Sequence, residues 1–471
     1  MGINHTQKNS NLTIVAILLA GSFVAILNQT LLATAIPYIM SDLDLTENTA
    51  QWLTTIFMLV NGIMIPITAF LIETFTTRRL FITAMTIFAV GTVICGIAPN
   101  FFILMVGRII QASGAGIMLP LMMTVFLIIF PLEKRGAAMG MVGLVISFAP
   151  AIGPSLSGWI IGNLPWRYMF FVILPIAIID IVIAYFVLQN VTKQTYPKVD
   201  FLSIILSTLG FGGLLYGFSS AGNTGWGSIQ VVVSLIVGTI SLTFFILRQF
   251  KLEQPILEFR VFQYKTFTIT TIIGMIVFIG LIGSETILPI YMQNMLDYSP
   301  LESGLMIMPG ALLMGFMSPI TGRIFDKVGA RWLAITGLSI MTVTTFMFTN
   351  LTTTTSLTYI TVVFGIRMFG MSMVMMPVTT AGLNELPIRL IPHGTAMNNT
   401  MRQVAASIGT AILVTIMTSA ALNSADISNP TSMIHGVNVA FIVASILSIV
   451  SLLLSFFIKP LEYKVIEGEG S

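Results

Sequence analysis

Residues 66–78 read PITAFLIETFTTR and residues 319–331 read PITGRIFDKVGAR, and the two stretches line up without a gap. Each begins Pro-Ile-Thr, sets an acid seven residues after the proline (Glu73 and Asp326) and ends on arginine (Arg78 and Arg331). Each follows an apolar run and opens a short basic loop. Two further correspondences flank them. Arg108 and Arg367 both stand inside apolar runs, and Pro37-Tyr-Ile-Met matches Pro289-Ile-Tyr-Met. The chain reads as two related halves, and parallel repeats with a site at their interface are a transporter architecture.

Composition sets the solvent in which those halves fold. The 471 residues are 56% hydrophobic and only 8% charged, against about 25% charged in an ordinary soluble domain. The expected class is an all-α polytopic membrane protein. A hydrocarbon core ~30 Å thick needs about 20 apolar residues of helix. Fourteen spans satisfy that criterion: 12–38, 50–72, 80–98, 101–129, 137–161, 167–189, 201–219, 229–248, 267–291, 303–322, 332–350, 357–379, 397–420 and 436–458. The first run exceeds a signal-peptide core and flows into further spans, so it is expected to be a retained helix. The runs are continuous rather than alternating, which excludes a strand-built barrel.

The basic residues give an independent check on this count. With fourteen spans, 17 of the 21 lysines and arginines fall on one side, Arg167 alone on the other, and Arg108, Arg367 and Arg402 within spans. By the positive-inside rule the basic side is cytoplasmic and carries both termini. The other side collects Asp42, Asp44, Glu47, Asp297, Glu302 and Asp426. The expected organisation is a six-helix bundle over 1–192, inserted helices 7 and 8 with their linkers over 193–262, and a second six-helix bundle with a short cytoplasmic tail over 263–471.

One cysteine, Cys95, leaves no internal disulfide or zinc cluster to form. The histidines His5, His393 and His435 read as loop residues near span ends, without a metal. No G-x-x-x-x-G-K-[ST] stretch occurs, which argues against ATP-driven transport. No cofactor and no catalytic residue is expected, and the small net charge of +3 gives no case for nucleic acid.

The motifs now carry a resemblance. The loop pattern G-x-x-x-D-x-x-G-x-R is complete at Gly322, Asp326, Gly329 and Arg331, with a degenerate copy at Ala69, Glu73, Thr76 and Arg78. Gly107-Arg108 is followed by Gln111 and Gly114. The fifth span carries Ala149, Pro150, Gly153, Pro154, Ser157 and Gly158. In this order and on these spans the chain resembles the major facilitator superfamily, specifically its 14-span drug:proton antiporters of the bacterial lincomycin-exporter type. The resemblance implies a two-bundle fold in the bacterial cytoplasmic membrane and export of lipophilic compounds against protons by a monomer. It also implies a proton-handling role for Arg108, with a structural hydrogen-bonding arginine as the other reading. Where the family carries Leu-Asp-x-Thr in its first span, this chain has Leu27-Asn28-Gln29-Thr30. A side-chain amide does not ionise near neutral pH and cannot carry a proton, so Asn28, Gln29 and Gln111 are hydrogen-bonding candidates for a substrate instead.

The coupling candidates are therefore Asp180, near the middle of span 6, and Glu285, in the outer half of span 9. A carboxylate in a low-dielectric setting is neutral in one conformation and ionised in another; the alternative is an acid that only faces cavity water. Glu73 and Asp326 are expected either to latch onto the positive N-terminal end of a helix in the other bundle, spans 5 and 13 both starting on that side, or to pair locally with Arg78 or Arg331. Arg402 reads as near the cytoplasmic end of span 13. The stripe Ala149, Gly153, Ser157, beside Pro150, Pro154 and Gly158, reads as a close-packed, kinked pivot between the bundles, or as ordinary tight packing. Met373 and Met376 are candidates for an adaptable apolar cavity wall. The rivals to drug export are a dedicated exporter of a bile acid, lipid or siderophore, and a membrane sensor or scaffold on a transporter-like body.

Overall fold

A computed structural model describes residues 5–422 and 430–460; Asp426, Lys464 and the tail beyond 460 lie outside the described residues. In lipid every backbone polar group must be paired within the chain, which leaves helices as the solution for apolar runs of this length. The helices in the first half are α1 (His5–Leu43), α2 (Glu47–Thr74), α3 (Thr77–Gly96), α4 (Phe101–Ile129), α5 (Arg135–Asn163) and α6 (Tyr168–Val187). Then come α7 (Phe201–Thr224) and α8 (Ile229–Lys251). The second half holds α9 (Lys265–Met295), α10 (Pro300–Val328), α11 (Ala330–Met347), α12 (Leu357–Ser372), α13 (Met375–Asn384), α14 (Ile391–Leu422) and α15 (Pro430–Ser455). Fourteen stretches are long and apolar enough to cross a membrane, α12 and α13 together making one of them. Side-chain caps start several helices: Thr46, Asn100 and Ser228 each accept a backbone N–H, and Ser299 with Glu302 closes a capping box.

Helix packing repeats between the halves. The pairs α3·α4, α2·α4, α1·α5 and α3·α6 recur as α11·α12, α10·α12, α9·α14 and α11·α15. The most extensive contacts between the halves are α5 on α10 and α14 on α2, each other's counterparts under the same correspondence, with α4 on α14 and α5 on α13 adding to them. The inserted pair is more than a bridge: α8 packs on α7, and α7 lies against both α2 and α14. Leu215 sits over Gly62, and Trp52 stacks on Tyr216 with ring centroids 5.5 Å apart. The hairpin is anchored at the basic end, where Arg248 grips Asp200 with two hydrogen bonds of 2.7 and 3.1 Å. That contact holds the Asp200 carboxyl below its ordinary range. At the acidic end Arg167 and the Trp166 indole both donate to Asp42, at 2.7 and 3.0 Å.

Two span boundaries differ from expectation. Span 12 breaks at Met373–Val374, because Pro377 has no N–H for the Met373 carbonyl and the chain turns before α13 begins. Span 13 begins at Ile391, six residues earlier than the apolar run. Its first turn carries His393, read from sequence as a loop residue but buried against protein, as are Asn398 and Asn399 a turn and a half further on. His393 is accordingly a helical residue in α14 and not a loop histidine; His435, inside α15, and His5, the first residue of α1, are helical too.

Candidate functional site

A cavity of about 660 Å³ lies between the halves, a size suited to a drug-like molecule, for which pockets run about 300–1,000 Å³. Its wall is mostly apolar, with Met58, Met118, Met314, Met368, Met375, Phe218 and Phe278, and carries a few polar groups: Gln29, Asn61, Ser147, Glu285, Asn399, Arg402 and Gln403. Helix α7 contributes Leu215, Phe218 and Ser219, so the insertion forms part of the wall.

Of the residues expected to touch a substrate, Gln29 reaches the wall. Asn28 and Gln111 do not: both are buried within the first half and serve Arg108. Arg108 is wholly buried and donates to the oxygens of Asn28 at 2.8 Å, Gln111 at 2.7 Å and the Leu53 backbone at 3.2 Å. Its guanidinium also lies 4.1 Å over the Phe57 ring, and Gln111 continues to Thr92 at 2.7 Å. Three carbonyl-type oxygens and a ring face hold this cation without a carboxylate. Met373 and Met376 are likewise outside the wall. Met373 is turned onto Gly337 of α11 by the break in span 12, and Met376 packs against Gly143 of α5. Met368 and Met375 take the cavity positions.

The second half repeats the arginine site at the same register. Arg367, also wholly buried, donates to the Gly280 carbonyl at 2.7 Å and to Thr345 at 3.3 Å. Under the match of Pro37 with Pro289, Asn28 corresponds to Gly280. The Cβ a larger residue would carry at 280 stands 3.0 Å from the Arg367 guanidinium. A small residue at 280 therefore does for Arg367 what the side-chain amide does for Arg108.

The two intramembrane acids occupy different surroundings. Glu285 lines the cavity, on the same helix as Gly280 and hence near Arg367. Asp180 is 4% exposed and lies inside the first half, its carboxylate against Gly21 of α1, and one of its oxygens has no partner. The structure brings Glu285 to the cavity and leaves Asp180 behind the α1 wall.

At the basic end the halves are closed against each other. Asp326 accepts from the backbone N–H groups of Gly136 at 2.7 Å and Ala137 at 2.9 Å, in the first turn of α5. An anion there meets the unpaired donors and positive end of the helix. Close approach requires glycine on both sides: a Cβ on Gly136 would meet Gly322 O at 2.4 Å, and one on Gly322 would meet Gly136 O at 2.2 Å. Gly329 ends α10 at φ 81°, a conformation that favours glycine, and lets the chain turn at once into α11, where Arg331 stands. Glu73 meets a side chain instead of a helix end. The Glu258 N–H donates to His393 Nδ1 at 3.3 Å, which leaves Nε2 to donate to Glu73 at 3.0 Å. Arg78 turns away to the Tyr185 carbonyl and ring. Further inward, Thr124 and Thr395 bond across the halves at 2.7 Å.

The fifth-span stripe faces a different neighbour from the one expected. A Cβ on Gly153 would stand 2.2 Å from Thr30 Oγ1, and Ser157 accepts from Thr34 at 2.6 Å. Ala149, Gly153 and Ser157 thus lock α5 to α1 within one half. The approach to the other half uses Gly136, Gly140 and Gly143, which meet Gly322 and Ser318 of α10. Pro150 borders the cavity, while Pro154 and Gly158 are exposed.

The Major Facilitator Superfamily profile matches residues 18–410. The chain is 60% identical over 460 residues to the uncharacterized MFS-type transporter YcnB of Bacillus subtilis, covering 98% of each chain. It is 44% identical to the lincomycin resistance protein LmrB of Listeria monocytogenes, covering 96% of this chain and 98% of that one. The proton:xylose symporter XylE shares the fold at TM-score 0.65 and 13% identity, covering 96% of this chain and 97% of that one. The chain belongs to the major facilitator superfamily and is a multi-pass membrane transporter, not an enzyme.

Proposed function

We propose that this transporter exports lipophilic compounds from the cytoplasm in exchange for protons, working as a monomer by alternating access. The observation that carries the reading is a cavity walled by apolar and flexible side chains that also holds one carboxylate, Glu285, while the basic end is shut by Asp326 and Glu73. Methionine-rich walls accommodate varied apolar shapes. A carboxylate in such a wall attracts a cationic substrate or takes a proton, and competition between the two couples their movements. With the basic end cytoplasmic, the present arrangement is outward-facing, and protonation at the cavity favours opening of the Asp326 and Glu73 contacts on the inner side. The similarity to LmrB, a lincomycin resistance protein by name, supports drugs as substrates.

Asp180 acts in this scheme only after α1 moves, since the present arrangement holds it behind that helix. The inserted hairpin seals the gap between α2 and α14 and keeps lipid out of the cavity while the halves rock. Everted vesicles energised by respiration test the function. Adding a transported compound should release protons from the acidified lumen, with compound accumulating in the lumen. Accumulation that persists when a protonophore collapses both the pH gradient and the membrane potential would overturn proton exchange, and the absence of any accumulation across a broad compound panel would overturn drug export.

A further inference from the structure

Three arginines are buried in the membrane region, and each keeps one nitrogen without a partner: Arg108 Nη2, Arg367 Nη1 and Arg402 Nε. Arg402 differs. It is 4% exposed, yet it lines the cavity. Its hydrogen bond to a described residue is a long one, Nη2 to the Met375 carbonyl at 3.4 Å, and its Nε is buried without a partner. The Phe278 ring stands 5.7 Å from its guanidinium carbon, and no carboxylate lies within 4 Å among the described residues. A buried cation without a counter-charge is the costly case, in contrast to one caged by oxygens like Arg108.

Depth places the group at the floor of the cavity. Arg402 is the twelfth residue of α14, about 16 Å from its basic end at 1.5 Å per residue. Phe278, level with it on α9, precedes Glu285 by seven residues, which is about 10 Å along the helix axis. A cation at the floor and an acid higher on the wall are separated by the apolar surface of Phe278, Leu281 and Ile282.

We propose that Arg402 is an anion subsite, and that the preferred cargo is an amphiphile whose carboxylate or similar anionic head seats on its guanidinium while an apolar body rises along α9. This rests on the reading of the cavity as the transport site and adds the substrate class. Gln403, beside Arg402 in the same wall, supplies a neutral amide donor next to the head, while the Asn399 amide is already given to Thr395 O and Met123 Sδ. The planar guanidinium presents paired donors that match a carboxylate.

The test uses two probes with one body: 11-(dansylamino)undecanoic acid and its methyl ester. Each is titrated by fluorescence against the full-length protein in neutral-lipid nanodiscs at pH 8, with empty nanodiscs subtracted. The wild type should bind the acid at least tenfold more tightly than the ester. Arg402→Gln should weaken the acid about 30-fold or more, the scale for losing one partner of a buried charge pair, and leave the ester within twofold. Arg402→Lys should fall between. Equal affinity of the wild type for acid and ester would overturn the subsite without recourse to any variant, as would an equal loss of both probes in Arg402→Gln with Arg402→Lys unimpaired. Transport of the acid in proteoliposomes with an imposed pH gradient is read separately, against protein-free liposomes. Its failure alongside a normal acid preference would count against the exporter reading and leave the anion subsite standing.

Discussion

Asp326→Asn removes the charge from the contact that closes the basic end. In the structure the carboxylate takes two backbone N–H groups, at 2.7 and 2.9 Å, from the first turn of α5. Hydrogen bonds to a charged group contribute about 1.5–3 kcal/mol each, and an anion at a helix N-terminus adds about 0.3–1 kcal/mol, more when partly buried. Asparagine keeps one carbonyl oxygen for one N–H and turns an NH₂ toward the other, so one bond, the charge and the dipole term are lost together. Water entering the opened end recovers part of this. A net shift of about 2–3 kcal/mol toward the inward-open state remains, which is a population change of roughly 30- to 150-fold. The reporter is Thr395→Cys in a Cys95→Ala background, since Thr395 is wholly buried against Thr124 and Cys95 is the sole native cysteine. Its labelling by an impermeant maleimide in everted vesicles should accelerate by at least tenfold when Asp326→Asn is added. A rate unchanged within twofold, with labelling of the unfolded protein normal, would refute the latch.

Gly153→Leu should drive α5 away from Thr30, where even a Cβ stands 2.2 Å from the hydroxyl. Transport should be abolished with insertion intact, and Thr30→Gly should restore a measurable part of it; no rescue would mean that Gly153 acts through another contact. Arg108→Gln should lower thermal stability by about 2–4 kcal/mol, the scale for leaving buried neutral oxygens without their donor, and Arg108→Lys should not recover it, because one ammonium cannot span Asn28, Gln111 and the Leu53 carbonyl. Normal melting of both variants would refute that assignment. Asp42→Asn should cost at most about 1 kcal/mol, because the pair with Arg167 is substantially exposed. The Arg167 and Trp166 hydrogen bonds depress the Asp42 carboxyl in the folded state. Its contribution is thus full above the unfolded value of about 3.9 and lost as pH falls through the lower folded one. The difference between wild type and variant melting should be full at pH 6 and shrink as pH falls below the ordinary carboxylate range; a gap that widens in acid would refute the sign.

Much of the fold was legible because lipid imposes a simple rule on apolar runs, and because loop arginines mark each crossing. The span count and the paired halves follow from Pro66–Arg78, Pro319–Arg331 and the alternation of basic loops. The interior was harder. A small-residue stripe says that a helix is approached closely but not by which neighbour, so Ala149, Gly153 and Ser157 point to α1 where the other half was expected. Pro392, His393 and Gly394 depress the local apolar signal, which moved the apparent start of span 13 to 397 and put Arg402 near an interface it does not reach. Pro377 gave a usable sign of the break that carries Met373 and Met376 away from the cavity. Nothing in an apolar helix distinguishes lipid-facing from cavity-facing residues, which hid Leu215, Phe218 and Ser219 of α7. Glu285 was within reach by one rule, that a charge in a span needs a purpose.

The most direct measurement reconstitutes the double variant Glu285→Gln, Asp180→Asn in proteoliposomes and follows a compound the wild type exports. With a pH gradient imposed, the variant should bind the compound and exchange it down its concentration gradient, yet accumulate none. Uphill accumulation at the wild-type rate that still collapses with the pH gradient would contradict the coupling proposed for these acids.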